Sequence, residues 1–122
     1  MTWIESFVAW LQSITIWPVY PSVLPDGQNY GVVYEAEEEA DPAHDDALPG
    51  EYGEVTLTLF VYHERLSIAL NEARNIAHNL ADIATPDGYL RGGQVVSREM
   101  GREPVGDLYF VMLRLRYRHQ ES

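Results

Sequence analysis

Residues 54–63 read Glu54-Val55-Thr56-Leu57-Thr58-Leu59-Phe60-Val61-Tyr62-His63. Val55, Leu57, Leu59 and Val61 alternate with Thr56, Thr58, Phe60 and Tyr62. Successive side chains of a strand point to opposite faces, so this run is a strand with one strongly apolar face and a second that is β-favourable too. From about Ser67 to Ala84 the period changes: Ala69, Ala73, Ile76, Leu80 and Ile83 form a helical stripe, with Glu72, Arg74, Asn75 and Asn79 off it. The alanines let this helix approach a sheet closely.

Upstream, residues 2–12 read as an amphipathic helix. Trp3, Ile4, Phe7, Val8 and Leu11 share one face, and Thr2 with Glu5 three residues later offers a start signal. Trp10 falls just off that face and either flanks the core, the favoured reading, or is exposed for a partner. Ile14 to Tyr20 is β-prone but holds Pro18, which cannot donate to a ladder, so it is an edge strand or an extended lead-in. Pro21, Pro25 and Asp26-Gly27 mark a turn-rich loop. Tyr30 to Ala36 is a better strand, with Tyr30, Val32 and Tyr34 on one face and Val33 and Glu35 on the other. Residues 37–53 combine a run of acids with Pro42, Pro49, Gly50 and Gly53, and read as a long acidic loop.

Downstream, Thr85-Pro86-Asp87-Gly88 ends the second helix. Gly92-Gly93 marks a turn before a short strand at Gln94 to Met100, and Gly101 to Asp107 is a hairpin-like connection. The last strand, Leu108 to about Arg118, has Tyr109, Val111, Leu113, Leu115 and Tyr117 on one face. Leu108, Phe110 and Met112 begin the other face, and Arg114, Arg116 and Arg118 continue it. The order predicts one α+β domain over 1–122: an antiparallel sheet of about four strands, both helices on one face, and the acidic loop.

Composition narrows the chemistry. A chain of 122 residues, 46% of them hydrophobic, can bury a core without staples. No cysteine is present, which excludes disulfides, thiolate catalysis and Cys-based metal sites. No basic leader precedes the first apolar pattern, and no apolar run approaches the roughly 20 residues of a membrane helix, so a soluble protein without membrane contact is expected. The net charge is −11, and all basic residues are arginine. Residues 1–64 carry twelve acids and no base; residues 65–122 carry eight arginines and seven acids. Phosphate neutralisation dominates nucleic-acid affinity, so this balance argues against a domain that grips DNA or RNA. It suits a surface that DNA slides past, and equally the lysine-free surfaces of salt-rich or GC-rich organisms.

Catalytic signatures are not completed. His63-Glu64 starts like a zinc-protease helix motif, but Ser67 stands where the second histidine is needed, and His63 is better read as a strand-end residue. His44-Asp45-Asp46 is three consecutive residues in a loop, a poor closed metal site. Gly92-Gly93 lacks the third glycine and the helix of a phosphate loop. Glu99 or Asp107 could pair in space for acid–base work, which sequence cannot show. No catalytic, cofactor-binding or metal residue is assigned, no cofactor is expected, and a non-enzyme is the reading. On a strand, Arg114, Arg116 and Arg118 form a positive stripe about 13 Å long. That stripe either docks an acidic neighbour, such as the acidic loop of another copy, or pairs with acids on adjacent strands of its own chain. A sheet apolar on both faces for part of its length needs cover on both, and oligomerisation would supply it.

Several runs carry a resemblance: Trp17-Pro18-Val19-Tyr20, Tyr30-Gly31-Val32-Val33-Tyr34, the strand Val55–Tyr62 leading into the Ala-rich helix, and Gln94-Val95-Val96-Ser97 followed by Leu108–Tyr117. With the order of elements, they make the chain similar to the tail-terminator, or tail-completion, proteins of long-tailed phages and related viruses. The likeness covers nearly the whole chain as a pattern of elements, and departs from the family in the acidic insert and the absence of lysine. It implies a virion protein of the head-proximal neck, assembled in the host cytoplasm. A ring of its own copies, usually a hexamer, would cap the tail-tube protein, stop tube growth and meet the head-side connector or stopper protein. DNA would be cargo passing through the lumen. For subunit or partner contacts the reading selects Glu37, Glu38, Glu39, Asp41, Asp45 and Asp46 of the acidic stretch, with Arg114, Arg116 and Arg118. The alternatives are another neck or tail component, such as a connector subunit or tube protein, and a small non-viral binding domain.

Overall fold

The alternating run at 54–63 lies in the middle strand of a five-stranded sheet. The structure, a computed structural model, describes residues 3–38, 52–80, 90–102 and 107–120. In chain order it holds α1 (Trp3–Ile14), β1 (Val19–Pro21), β2 (Tyr30–Glu38), β3 (Tyr52–His63), α2 (Leu66–Leu80), β4 (Leu90–Arg102) and β5 (Tyr109–Gln120). The strands lie in the order β1-β2-β3-β5-β4. β3 pairs antiparallel with β2 and with β5, and β5 pairs antiparallel with β4.

The α+β class holds, and both helices cover one face. Phe7, Trp10 and Leu11 of α1 and Ala69, Ala73, Ile76 and Ala77 of α2 form one buried cluster with Val55, Leu57, Leu59 and Val61 of β3. Val111, Leu113, Leu115 and Tyr117 of β5 complete it. Leu57, Leu59, Leu115 and Ile76 are wholly buried, each stabilising the fold by roughly 1.5–3 kcal/mol of transfer free energy. Trp10 belongs to this core, 5.8 Å from the Phe7 ring. The helices are also latched by polar contacts. The Thr15 hydroxyl donates to Glu72 Oε1 at 2.9 Å, and Asn75 Nδ2 donates to the Ile14 carbonyl at 3.3 Å.

Four sequence expectations are corrected. The sheet has five strands and is mixed, because the run interrupted by Pro18 supplies β1, which pairs parallel with β2 through Val19–Val32 and Tyr20–Val33. Pro18 gives its carbonyl to the Val32 N–H at 2.9 Å, so proline serves this edge as an acceptor. The acidic loop is shorter than 37–53: Glu37 and Glu38 end β2, and Tyr52 and Gly53 begin β3. β-Pairing against Thr56 and Val55 carries the strand into the acids. Gly92-Gly93 is not a turn but lies within β4, where the register shifts between Arg91 and Gln94. A bulge absorbs residues in a strand, and glycines suit it. Gly101 also belongs to β4, opposite Phe110, whose ring occupies the space a side chain there would need. Thr85–Gly88, Ile83 and residues 103–106 lie outside the described residues.

Candidate assembly surface

Strand registers set the other face of the sheet, on which none of the described helices lies. Across β2, β3, β5 and β4 the first row is Gly31, Tyr62, Phe110 and Gly101. The second is Val33, Phe60, Met112 and Glu99, with Tyr20 of β1 beside Val33. The third is Glu35, Thr58, Arg114 and Ser97. The fourth is Glu37, Thr56, Arg116 and Gln94. The first two rows are aromatic and apolar; the next two are polar and charged.

In the apolar half, Phe60, Tyr62 and Phe110 make a triangle with ring centroids 6.0–6.2 Å apart. All three, with Met112, are half-buried. One end of this half is partly covered by the loop at 22–29. Its Leu24 lies 3.1 Å from where a Cβ on Gly31 would stand, and Tyr20 3.0 Å. β1 is only three residues long, so this short loop suffices to return the chain for a parallel pairing.

In the charged half, Arg114 and Arg116 are exposed. Their register neighbours are Thr58 and Ser97, and Thr56 and Gln94, none of which is acidic. Among the described residues, neither arginine has a carboxylate partner, so pairing with acids on adjacent strands is not realised at these two positions. Arg118 stands opposite Glu54. Glu37 shares a row with Arg116, with Thr56 between them, and Glu38 shares one with Tyr117 across Val55. The acid-rich end of β2 and the arginine stripe therefore lie at the same end of the sheet, two strands apart. Glu39, Asp41, His44, Asp45 and Asp46 lie outside the described residues.

An open cleft of about 520 Å³ continues the apolar half, between the loop at 22–29, Tyr62, Glu64 and Leu108. Its polar groups are partly spent on each other, since Asn29 Nδ2 donates to Glu64 Oε1 at 3.1 Å. This cleft was not expected from the sequence, where Val23 and Leu24 beside Pro25 and Gly27 are its signal. His63 ends β3, and its Nδ1 accepts the Arg65 N–H at 2.9 Å where α2 begins. Its ring packs 5.5 Å from Trp17 and 6.3 Å from Tyr30. Asp107 is held by Arg102 at 2.7 Å, while Glu99 stands opposite Met112, so the two carboxylates form no pair for acid–base work. Among the described residues, no three acidic or histidine side chains gather as metal ligands would.

No protein-family model and no curated protein matches this chain. Among solved structures, a chain from the virion of a native gene transfer agent (GTA) particle aligns with a TM-score of 0.66. The alignment covers 96% of this chain and 90% of that one at 20% sequence identity. At that identity the likeness is one of fold, extending over nearly the full length of both chains.

Proposed function

We propose that this chain is a non-enzymatic structural protein of a tailed virus-like particle, and within it the terminator of the tail tube. The observation that carries the reading is the end-to-end sharing of fold with a chain of a gene transfer agent virion, over 96% of this protein and 90% of the other. The helix-free face supports it, because half-buried aromatics beside exposed arginines are the residue types that interfaces concentrate.

In this role the protein forms a ring, six copies in the proposal, at the head-proximal end of the tube. A heterologous interface that closes on itself gives a ring rather than a filament. One side of the ring repeats the tube's own contacts. The other offers no seat for a further tube ring and meets the head-side connector or stopper protein. The surplus of negative charge keeps DNA phosphates from being trapped as they traverse the lumen. Subunit contacts are assigned to Glu37, Glu38, Glu39, Asp41, Asp45 and Asp46 of one copy and to Arg114, Arg116 and Arg118 of the next, where guanidinium forks suit carboxylates. Assembly takes place in the host cytoplasm, and the finished ring resides in the neck of the virion.

The test adds the purified protein to polymerising tail-tube subunits of the same particle and images the products. Tubes bearing a six-copy ring at one end, and growing no further there, are expected. Tubes of unchanged length without a terminal ring would refute the reading. Open-ended tubes formed by this chain alone would make it a tube protein instead.

A further inference from the structure

We infer that in solution the helix-free sheet face packs on the same face of a second copy, as an isologous dimer whose two-fold axis runs along β3. The inference goes beyond the terminator reading and does not rest on it, since it concerns the free protein.

The sheet edges are poor candidates for pairing: β1 is three residues long and ends on Pro21, and β4 has two register shifts. Short, proline-bearing and bulged edges discourage strand addition. The helix-free face, in contrast, presents Phe60, Phe110 and Met112 half-buried. Aromatic surface of this kind gains by further burial, whereas a chain of net charge −11 repels its own copies in most orientations. Association therefore needs an orientation that sets opposite charges together.

The register supplies one. Glu35, Thr58 and Arg114 occupy one row on β2, β3 and β5, with Thr58 midway. Rotating a copy by half a turn about an axis along β3, in the plane between two stacked faces, carries its β5 over the β2 of the other copy. Positions along the strands do not change in that operation. Arg114 of each copy then stands over the other copy's Glu35, both exposed in the single chain and both unpaired among the described residues. Phe60, on the axis, meets its own counterpart. Met112 falls on the β2 side of that row, where Val33 is already buried in the single chain, so the new apolar contact is that of Phe60, and the charged row falls on the charged row.

Sheet packing tolerates this arrangement in the charged half, away from the loop at 22–29 that covers the Gly31 end of the face. Facing sheets sit about 10 Å apart with their strands within about 30° of alignment. Arg114 and Glu35 each lie a single strand spacing, about 4.8 Å, from the axis. A crossing of 30° at that radius displaces them by only a few ångströms, within the reach of an arginine side chain.

The test is sedimentation equilibrium of the full chain at physiological salt, on wild type, Arg114→Glu, Glu35→Arg and the double charge swap. Both positions are exposed, and circular dichroism melting checks that each variant folds. Wild type is expected to dimerise in the micromolar range, and each single reversal to weaken the dimer by about tenfold or more, by placing like charges together. The double swap restores the pairs and is expected to recover affinity to within about threefold of wild type. A wild-type monomer at about 100 µM would overturn the inference, as would single reversals without effect or a double swap that recovers nothing. A ring of six as the sole species in solution also overturns it while leaving the terminator reading intact. A dimer with the expected swap pattern but no action on tail tubes supports it and removes the terminator reading.

Discussion

The two faces of β3 share one backbone and comparable strand-forming residues, yet they meet different fates. On one face Val55, Leu57, Leu59 and Val61 are at most 1% exposed under the two helices. On the other, Thr56 is buried, whereas Thr58, Phe60 and Tyr62 are half-buried on a face without a described helix. β-Propensity accounts for the strand, since both sets fit a pleated surface. It does not decide what each face is for. That depends on what covers it: the face under α1 and α2 stabilises the monomer, and the other carries aromatic and charged side chains that no described helix covers.

The sharpest way to break this contrast is to remove the same kind of area from each face. Leu57→Ala truncates a side chain with 0% exposure and should lower the unfolding free energy by about 3 kcal/mol, independently of protein concentration. Urea denaturation at two concentrations reads both quantities. Next in size is Gly31→Ala, where the free face is tied to the loop that partly covers it. Gly31 has φ of 154°, and a Cβ there would meet Tyr20 Cε2 at 3.0 Å, Leu24 Cδ1 at 3.1 Å and the Pro18 carbonyl at 3.3 Å. Backbone strain and crowding together should cost about 2 kcal/mol, visible as a lowered denaturation midpoint. Phe60→Thr keeps a β-former and removes a half-exposed ring, so the monomer should lose only about 1 kcal/mol. Its larger effect should be a loss of the concentration dependence expected of the wild type as a dimer. A loss from Phe60→Thr as large and as concentration-independent as that from Leu57→Ala would erase the distinction between the faces.

The sequence discloses the covered face more fully than the free one. Alternation in β3 and β5 and the Ala69, Ala73 and Ile76 stripe of α2 identify the core almost residue by residue, because burial imposes a period that single residues report. The bulge at Gly92-Gly93 was not legible. Two glycines signal freedom from the usual backbone limits, and a turn and a bulge both use it. Nor was the parallel placement of β1 legible, since Pro18 and Pro21 indicate an edge without saying which way it runs. The arginine stripe was visible as a pattern, but the identity of its neighbours was not. Only the register of β5 between β3 and β4 sets Thr56, Thr58 and Ser97 beside it in place of acids. Pairing partners are properties of strand order, and strand order is not local.

Among the described residues the covered face contains one flaw, which gives an effect no larger than that of Phe60→Thr on the monomer and the only one of opposite sign. Tyr117 is 2% exposed, its ring centroid lies 6.0 Å from that of Phe7, and its hydroxyl finds no hydrogen-bond partner among the described residues. Burial without a partner penalises the hydroxyl itself, so Tyr117→Phe should raise stability by about 1 kcal/mol at neutral pH. Burial penalises the phenolate more and pushes the Tyr117 pKa well above its ordinary value. The sign follows from where protons are bound. Below about pH 10 the hydroxyl is protonated in both folded and unfolded chains, and stability is independent of this group. Above that, the unfolded chain releases the proton while the folded chain holds it, and folding weakens by up to about 1.4 kcal/mol per pH unit. Tyr117→Phe should abolish that component, so its advantage over wild type should widen between about pH 10 and 11, as read by urea denaturation at each pH. An advantage that stays constant across that interval would mean that the phenolate finds solvent or a donor in the folded chain, and that the covered face is less closed at the Tyr117 end than at Leu57.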